Sequence, residues 1–293
     1  MRCAACLSTD VRPHVASRRT GNVIHGCRRC GAHVLANRQS NEQVEDAYDW
    51  NQESYEAYVE VTRKDTLDKS HLDTLQRLKR LAPTSERPSL FDVGAGAGTF
   101  LAAARDAGFA PAGNELAPGA VALAKDRYGI DMHLGDLSNL GELGRHEVVT
   151  MWCVLAHVLD HDKLLSQVHD LLVPEGVLFL QTPRWSLMDR TGMGAHDVSG
   201  GRFAQLTDRR VSSHHMILHT EKSIRANLER LGYDVIEAKP RVRFSLTTEF
   251  YLHSLKVAPK VRTAIAKGVD GMLDREWCVR NVLDVYARKR PGS

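Results

Sequence analysis

From Ser89 onward the chain alternates short apolar runs with amphipathic stretches, a rhythm that leaves few architectures open. The apolar runs are Ser89 to Val93, Ala110 to Glu115, Ile130 to Leu134, Glu147 to Trp152 and Val177 to Gln181. Helical stretches between them end near Gly108, Tyr128 and Leu172, the last beginning at about Asp160. Strands separated by helices cannot close as hairpins and instead pair in parallel, with helices covering the sheet. The expected fold class is α/β, a doubly wound sheet. After Pro183 the rhythm lapses. It resumes with a helix near Glu221 to Leu231 and a strand near Tyr233 to Glu237, and closes with Val282 to Ala287.

Residues 1–37 behave differently: they are turn-rich and short of aliphatic runs, so they need a staple to fold. Cys3-Ala4-Ala5-Cys6 and Cys27-Arg28-Arg29-Cys30 supply one, two C-x-x-C pairs separated by 20 residues. Two tight turns at that spacing present Cys3, Cys6, Cys27 and Cys30 as tetrahedral thiolate ligands, and bound Zn2+ would contribute the missing folding energy. Four cysteines close the coordination shell, so the zinc is expected to be structural. Cys153 and Cys278 are too isolated to join it. Residues 38–84 read as a helical connector, with Leu67, Leu72, Leu75 and Leu78 at helical spacing before Ala82-Pro83. The remaining residues, 85–293, form the α/β domain, with irregular insertions at about 183–219 and 240–276.

Charge and hydropathy restrict the partners. The 293 residues carry 39 Lys and Arg against 36 Asp and Glu, a net +3 that does not call for nucleic acid. No apolar run approaches the ~20 residues that cross a bilayer. Met1-Arg2-Cys3 does not open a basic-then-apolar leader, so a cytoplasmic protein without membrane contact is expected, as monomer or homodimer.

The residues that carry chemistry begin at Phe91-Asp92-Val93-Gly94-Ala95-Gly96-Ala97-Gly98-Thr99-Phe100, where a strand runs into a Gly-x-Gly-x-Gly turn and then a helix. Glycines let the backbone turn sharply and approach a ligand at the carboxyl end of the strand, where open α/β sheets bind. Glu115 ends the next strand, where an acidic side chain can accept hydrogen bonds from both hydroxyls of a ribose or simply meet solvent.

With Gly113-Asn114-Glu115-Leu116, Leu134-Gly135-Asp136-Leu137 and the segment from Glu147 to Pro183, this turn resembles the successive motifs of class I S-adenosylmethionine (SAM)-dependent methyltransferases. The resemblance spans about Ser89 to Glu237 and implies a Rossmann-like sheet whose last strand is antiparallel. It implies that Gly94, Ala95, Gly96 and Gly98 hold the methionyl part of SAM, with Asp92 supporting the loop. Glu115 and Leu116 would then meet the ribose, Asp136 and Leu137 the adenine, and Trp152 and Cys153 the sulfonium. A dinucleotide site would usually show Gly-x-Gly-x-x-Gly, and here the third glycine comes one residue early. Glu147 and Ala156 depart from the family pattern, and both departures bear on the acceptor rather than the cofactor.

Methyl transfer from SAM is an in-line displacement, so the protein aligns the acceptor and removes its proton where it has one. Among 14 histidines, His157, His215 and His196 are the candidates, although a histidine is as readily a solvated bystander or a core hydrogen-bonder. A zinc ribbon ahead of a methyltransferase resembles some ribosomal RNA methyltransferases and some enzymes acting on nucleotide-linked sugars or natural products, and Arg18, Arg19, Arg28 and Arg29 give the ribbon a basic surface. The Leu-Gly-x-x-Pro segment of the sugar C-methyltransferases is absent. Near-neutral charge and large insertions favour a small-molecule acceptor, with oxygen before nitrogen or carbon. RNA methylation guided by the ribbon and a non-catalytic SAM-binding scaffold are the alternatives.

Overall fold

A computed structural model describes residues 1–16, 23–35, 52–60, 62, 64–83, 85–199, 215–243, 247–254, 257–275, 277 and 280–292. Its centre is a seven-stranded sheet of β4 (Ser89–Val93), β5 (Ala110–Glu115), β6 (His133–Leu134), β7 (His146–Trp152), β8 (Leu172–Pro183), β10 (Tyr233–Arg241) and β11 (Val282–Lys289). The strand order is β10-β11-β8-β7-β4-β5-β6. Strands β8, β7, β4, β5 and β6 run parallel, and β11 lies antiparallel between β8 and β10, as expected for the last strand.

Consecutive residues of the central strands enter opposite cores, because strand side chains alternate faces. Phe91, Val149, Leu178, Leu180 and Val285 pack beneath α5 (His161–Leu171) and α7 (Glu221–Arg230). Their neighbours Leu90, Val148, Val177, Phe179 and Tyr286 face α2 (Lys64–Leu81) and α3 (Thr99–Asp106). A further helix, α4 (Pro118–Tyr128), starts on Pro118 and stops at Gly129 with φ 64°. Asp160 caps α5 by accepting from the Lys163 N–H at 2.9 Å.

Several expectations change. The connector, described here as α1 (Gln52–Glu60) and α2, contributes to the core: Leu75 and Leu78 are fully buried against the sheet. The buried stripe is His71, Thr74, Leu75 and Leu78, spaced at helical period, whereas Leu72 lies off that stripe and is 51% exposed. Neither insertion is irregular throughout. The first holds α6 (Leu187–Val198) and β9 (Ile217–Leu218), the second α8 (Thr248–Ser254) and α9 (Pro259–Asp274). The run from Ile130 shortens to the two residues of β6.

The N-terminal residues form a second, antiparallel sheet of β1 (Val11–Ala16), β2 (Val23–Cys27) and β3 (His33–Leu35), extended by β9. His33 pairs with Leu218 and Val34 with Ile217, so this small sheet is completed by a strand that follows α6. The His33 ring stacks on Trp185 at 3.7 Å, and Thr220 Oγ1 donates to the Cys30 carbonyl at 2.6 Å. The boundary expected near residue 37 lies outside the described residues.

Replacing Leu78 by alanine is expected to lower unfolding free energy by about 2–5 kcal/mol in urea titrations, the usual range for an emptied core leucine site. A loss near zero would mean that α2 is not part of the sheet's packing.

Candidate active site and cysteine cluster

Strand β4 ends in a left-handed backbone that favours glycine. Gly94, Gly96 and Gly98 have φ of 69°, 56° and 74°. A Cβ on Gly94 would stand 2.7 Å from Val154 Cγ2, and one on Gly98 2.8 Å from the Ala124 Cβ. Just before the turn, Asp92 is buried, and its Oδ1 accepts from Thr150 Oγ1 at 2.6 Å while its Oδ2 has no hydrogen-bond partner. Burial first, then the charge of Glu115, pushes the Asp92 carboxyl up to about 8. Asp92, Gly94, Ala95, Gly96, Trp152 and Cys153 line one cleft of about 510 Å³. That brings six of the expected residues together.

Glu115 joins the turn to the end of β5. Its Oε2 accepts from the Gly96 N–H at 2.8 Å, and Oε1 from the N–H groups of Leu116 and Ala117 at 2.7 and 3.0 Å. Each carboxylate oxygen has further lone-pair capacity, so these bonds fix the side chain without exhausting it. Beyond it Leu116 and Asp136 line a second hollow of about 260 Å³. Asp136 Oδ1 accepts from the Ser138 N–H at 2.8 Å, and Leu137 turns into the core.

The histidine candidates separate. His157 ends a 3-10 turn, Leu155–His157, and lines the second hollow beside Leu116 and Asp136. The His215 ring lies 5.0 Å from that of His157, and the next residue's N–H, that of Met216, donates to the Ala156 carbonyl at 2.7 Å. His196 belongs to α6, and its side chain is outside the described residues. Arg18, Arg19 and Cys278 are also outside them.

Trp152 both lines the cleft and packs, tilted against Phe100 and Phe179 with ring centroids 5.0 and 4.8 Å away. Cys153 has φ 58°, and its N–H donates to the Gln181 carbonyl at 2.9 Å. Burial, then the nearby Asp284 charge, pushes the Cys153 thiol up to about 12, so it is neutral at ordinary pH and no thiolate nucleophile. Among the lining residues that escaped sequence reasoning are Gln181 and His71. His71 is buried with Nδ1 lacking a hydrogen-bond partner, and burial, then the charge of Arg243, holds its pKa down to about 4. Its place on the buried stripe of α2 was the available signal.

The four N-terminal cysteines converge. Cys3 Sγ is 3.6 Å from Cys30 Sγ, Cys6 Sγ is 3.6 Å from Cys27 Sγ, and all four sulfurs lie within 4.8 Å of one another. A tetrahedral site with Zn–S bonds of ~2.3 Å has sulfurs about 3.8 Å apart, so this donor set fits zinc. The turns close through the Leu7 N–H to the Cys3 carbonyl at 3.0 Å and the Gly31 N–H to the Cys27 carbonyl at 2.8 Å.

Residues 68–238 match the family described as a methyltransferase domain. No curated protein matches the chain in sequence. Among solved structures, a protein described as a sarcosine dimethylglycine methyltransferase from Galdieria sulphuraria is 17% identical with a TM-score of 0.51, over 78% of this chain and 86% of that one. A Haemonchus contortus phosphoethanolamine N-methyltransferase, in complex with SAM, is 15% identical with a TM-score of 0.57, over 88% and 62%. The [4+2]-cyclase SpnF, 16% identical with a TM-score of 0.57 over 87% and 98%, shares the fold as well. The chain belongs to the methyltransferase-domain family, as a class I SAM-dependent enzyme.

Replacing Gly94 by alanine is expected to cost about 1–3 kcal/mol of stability, the usual range for a side chain forced into the left-handed region, and to weaken SAM binding in calorimetry. Unchanged affinity would place the cofactor elsewhere.

Proposed function

We propose that the chain transfers the methyl group of SAM to a small-molecule acceptor, with an oxygen nucleophile preferred to nitrogen or carbon. The observation that carries this reading is the convergence of a glycine cradle and a buried, half-partnered carboxylate in one cleft of about 510 Å³, a size suited to small ligands. Gly94, Ala95, Gly96 and Gly98 receive the methionyl end, and Asp92 Oδ2 accepts from its ammonium. Glu115 and Leu116 face the ribose, Asp136 the adenine, and Leu137 shapes that end from the core. Trp152 and Cys153 border the sulfonium. When bound, SAM supplies a methyl carbon made electrophilic by positive sulfur. His157 lines the hollow assigned to the ribose and adenine, with the His215 ring beside it, so this pair borders the nucleoside end of SAM and the acceptor is met from the side of His71 and Gln181. His71, too weak a base at a pKa of about 4, orients the acceptor by hydrogen bonding. Two of the similar structures are named for small amine acceptors, which supports a small acceptor here.

Structural Zn2+ bound by Cys3, Cys6, Cys27 and Cys30 completes the proposal. Four thiolates leave no open position, so the metal holds the N-terminal sheet and takes no part in methyl transfer.

Because the folded Asp92 carboxyl lies above the ordinary carboxylate range, its contribution to stability is full at low pH and is lost as pH rises through about 8. An ammonium favours the carboxylate form, so SAM should bind more tightly as pH rises from about 6 toward neutrality and release a proton. Calorimetry at pH 7 in buffers of different ionisation enthalpy should detect that proton with the native chain and none with Asp92→Asn. Equal release from both would remove Asp92 from the methionyl site. The reading as a whole is tested by mass-spectrometric detection of S-adenosylhomocysteine formed with a panel of hydroxylated and amine acceptors. Failure of the folded protein to bind SAM would sink it.

Cys27→Ser is expected to lose about one zinc per chain in elemental analysis and to expose the N-terminal sheet to proteolysis. Retained metal would reject the four-cysteine shell.

A further inference from the structure

Beside the cofactor cleft lies a second one of about 550 Å³, walled by α2, the ends of β10 and β11, and α9. Five cations line it: Lys69, Arg77 and Arg80 from α2, and Arg241 and Arg243 from the end of β10 and just beyond. Two carboxylates, Asp73 and Asp284, share the lining, and Glu237 forms an ion pair with Arg77 from behind. Cations therefore exceed carboxylates here, in a chain whose overall balance is nearly even. A solvated helix face would scatter such charges outward; these face one another across a concavity.

We propose that this cleft receives the anionic group, phosphate or carboxylate, of the methyl acceptor. The proposal rests on the methyltransferase reading and specifies its substrate class. The guanidinium groups are held rather than loose. Arg243 Nε donates to Ser70 Oγ at 3.0 Å, its backbone N–H donates to Asn281 Oδ1 at 2.8 Å, and its side chain is only 18% exposed. Arg77 lies over the Tyr286 ring, 4.4 Å from its centre. Asp284 stands 3.8 Å from both Arg241 Nε and Arg243 Nη2. Arg243 also donates from Nη1 to the Val242 carbonyl at 3.0 Å, so an incoming phosphate or carboxylate meets the positive charge of fixed guanidiniums more than an open fork, and prior ordering lowers the cost of binding.

The two clefts share a wall. Ser70 lines the basic cleft and the next residue, His71, lines the cofactor cleft. On the sheet side, Gln181 borders the cofactor cleft beside Cys153, and its Nε2 donates to Asp284 Oδ1 at 2.8 Å. A small molecule anchored on Arg241 and Arg243 thus lies next to the cofactor cleft, with Gln181 and His71 between it and the proposed sulfonium position. An RNA chain is the less favoured ligand, because the cations face one another across one recess instead of tracking along an exposed surface.

The test uses the metal-loaded, full-length protein saturated with S-adenosylhomocysteine and titrated calorimetrically with inorganic pyrophosphate and, separately, with citrate. Binding of pyrophosphate or citrate identifies the phosphate or carboxylate form of the ligand. Arg241→Gln/Arg243→Gln should weaken that binding at least about tenfold, as expected for lost charge-assisted hydrogen bonds, while S-adenosylhomocysteine affinity stays within about twofold. If that variant does not fold, Lys69→Gln/Arg80→Gln, two exposed positions, replaces it with the same expectation. Equal affinity in the variant, or no binding of either anion by the native chain up to about 10 mM, overturns the proposal. Displacement of pyrophosphate by a structured RNA at lower concentration, with steep salt dependence, overturns it in favour of nucleic acid. Lost S-adenosylhomocysteine binding with pyrophosphate binding intact strikes the methyltransferase reading and leaves the anion site standing.

Discussion

The end of β5 is held against the glycine turn by one carboxylate. Glu115 takes a hydrogen bond from Gly96 on one oxygen and from Leu116 and Ala117 on the other, so a single side chain fixes the turn after β4 and the start of the segment leading to α4. Hydrogen bonds to a charged group contribute about 1.5–3 kcal/mol each when isolated, and less when they share an acceptor. Their effect here is geometric. Three glycines with positive φ leave the turn many conformations, and Glu115 selects the one in which Gly94 and Gly96 line the first cleft while Leu116 lines the second hollow.

A comparable dependence links the cysteine cluster to the histidines. The buried residues around the cysteines are few and small, Ala5, Ala32, Val34 and Ile217 among them, and a separate group of Ile24, Trp185, Met193 and Leu218 adds to them, a small apolar core for a sheet. The sheet nevertheless supplies contacts far from itself. The Leu35 N–H donates to the Met216 carbonyl at 2.9 Å, and Met216 in turn donates to Ala156, the residue before His157. Cross-linking the cysteines would therefore order the strand that sets His215 beside His157. A metal held by the four cysteines would thus act on the domain through its structure alone.

Most of the sheet was legible because its signals are local. Ser89–Val93 and Ala110–Glu115 are short runs made mostly of apolar or small residues, ending at Gly94 and on Glu115, and the glycine turn declares its own backbone. What was not legible depends on partners distant in sequence. Leu72 and Leu75 look equivalent in a helical pattern, and only docking on the sheet decides that the stripe runs through His71 and Leu78 and leaves Leu72 outside. β9 is two residues long and exists because β3 pairs with it, so no period could reveal it. α6, α8 and α9 went unseen because their apolar faces are interrupted by glycine and polar residues, as in Thr191-Gly192-Met193-Gly194. Gln181 sits within an apolar strand, and its role appears only when Cys153 and Asp284 arrive on either side.

The two clefts on either side of α2 have opposite electrostatic character, and burial produces the contrast. In the cleft proposed for the cofactor, a fully desolvated carboxyl at Asp92 is pushed up to about 8, so its charged form is costly until a cation arrives. In the neighbouring cleft, arginines keep their charge whatever their surroundings, because a guanidinium does not give up its proton in proteins, so they must be matched by anions. Asp284 supplies part of that match and hands a hydrogen-bonded contact through Gln181 to the cofactor side. His71, between them, is kept neutral by burial and by Arg243, and so adds no charge to either site. A cation and an anion can thus be bound in adjacent recesses without neutralising each other. That arrangement suits the proposed reaction, in which a sulfonium donor would meet an anionic acceptor at its nucleophilic atom and not at its charge.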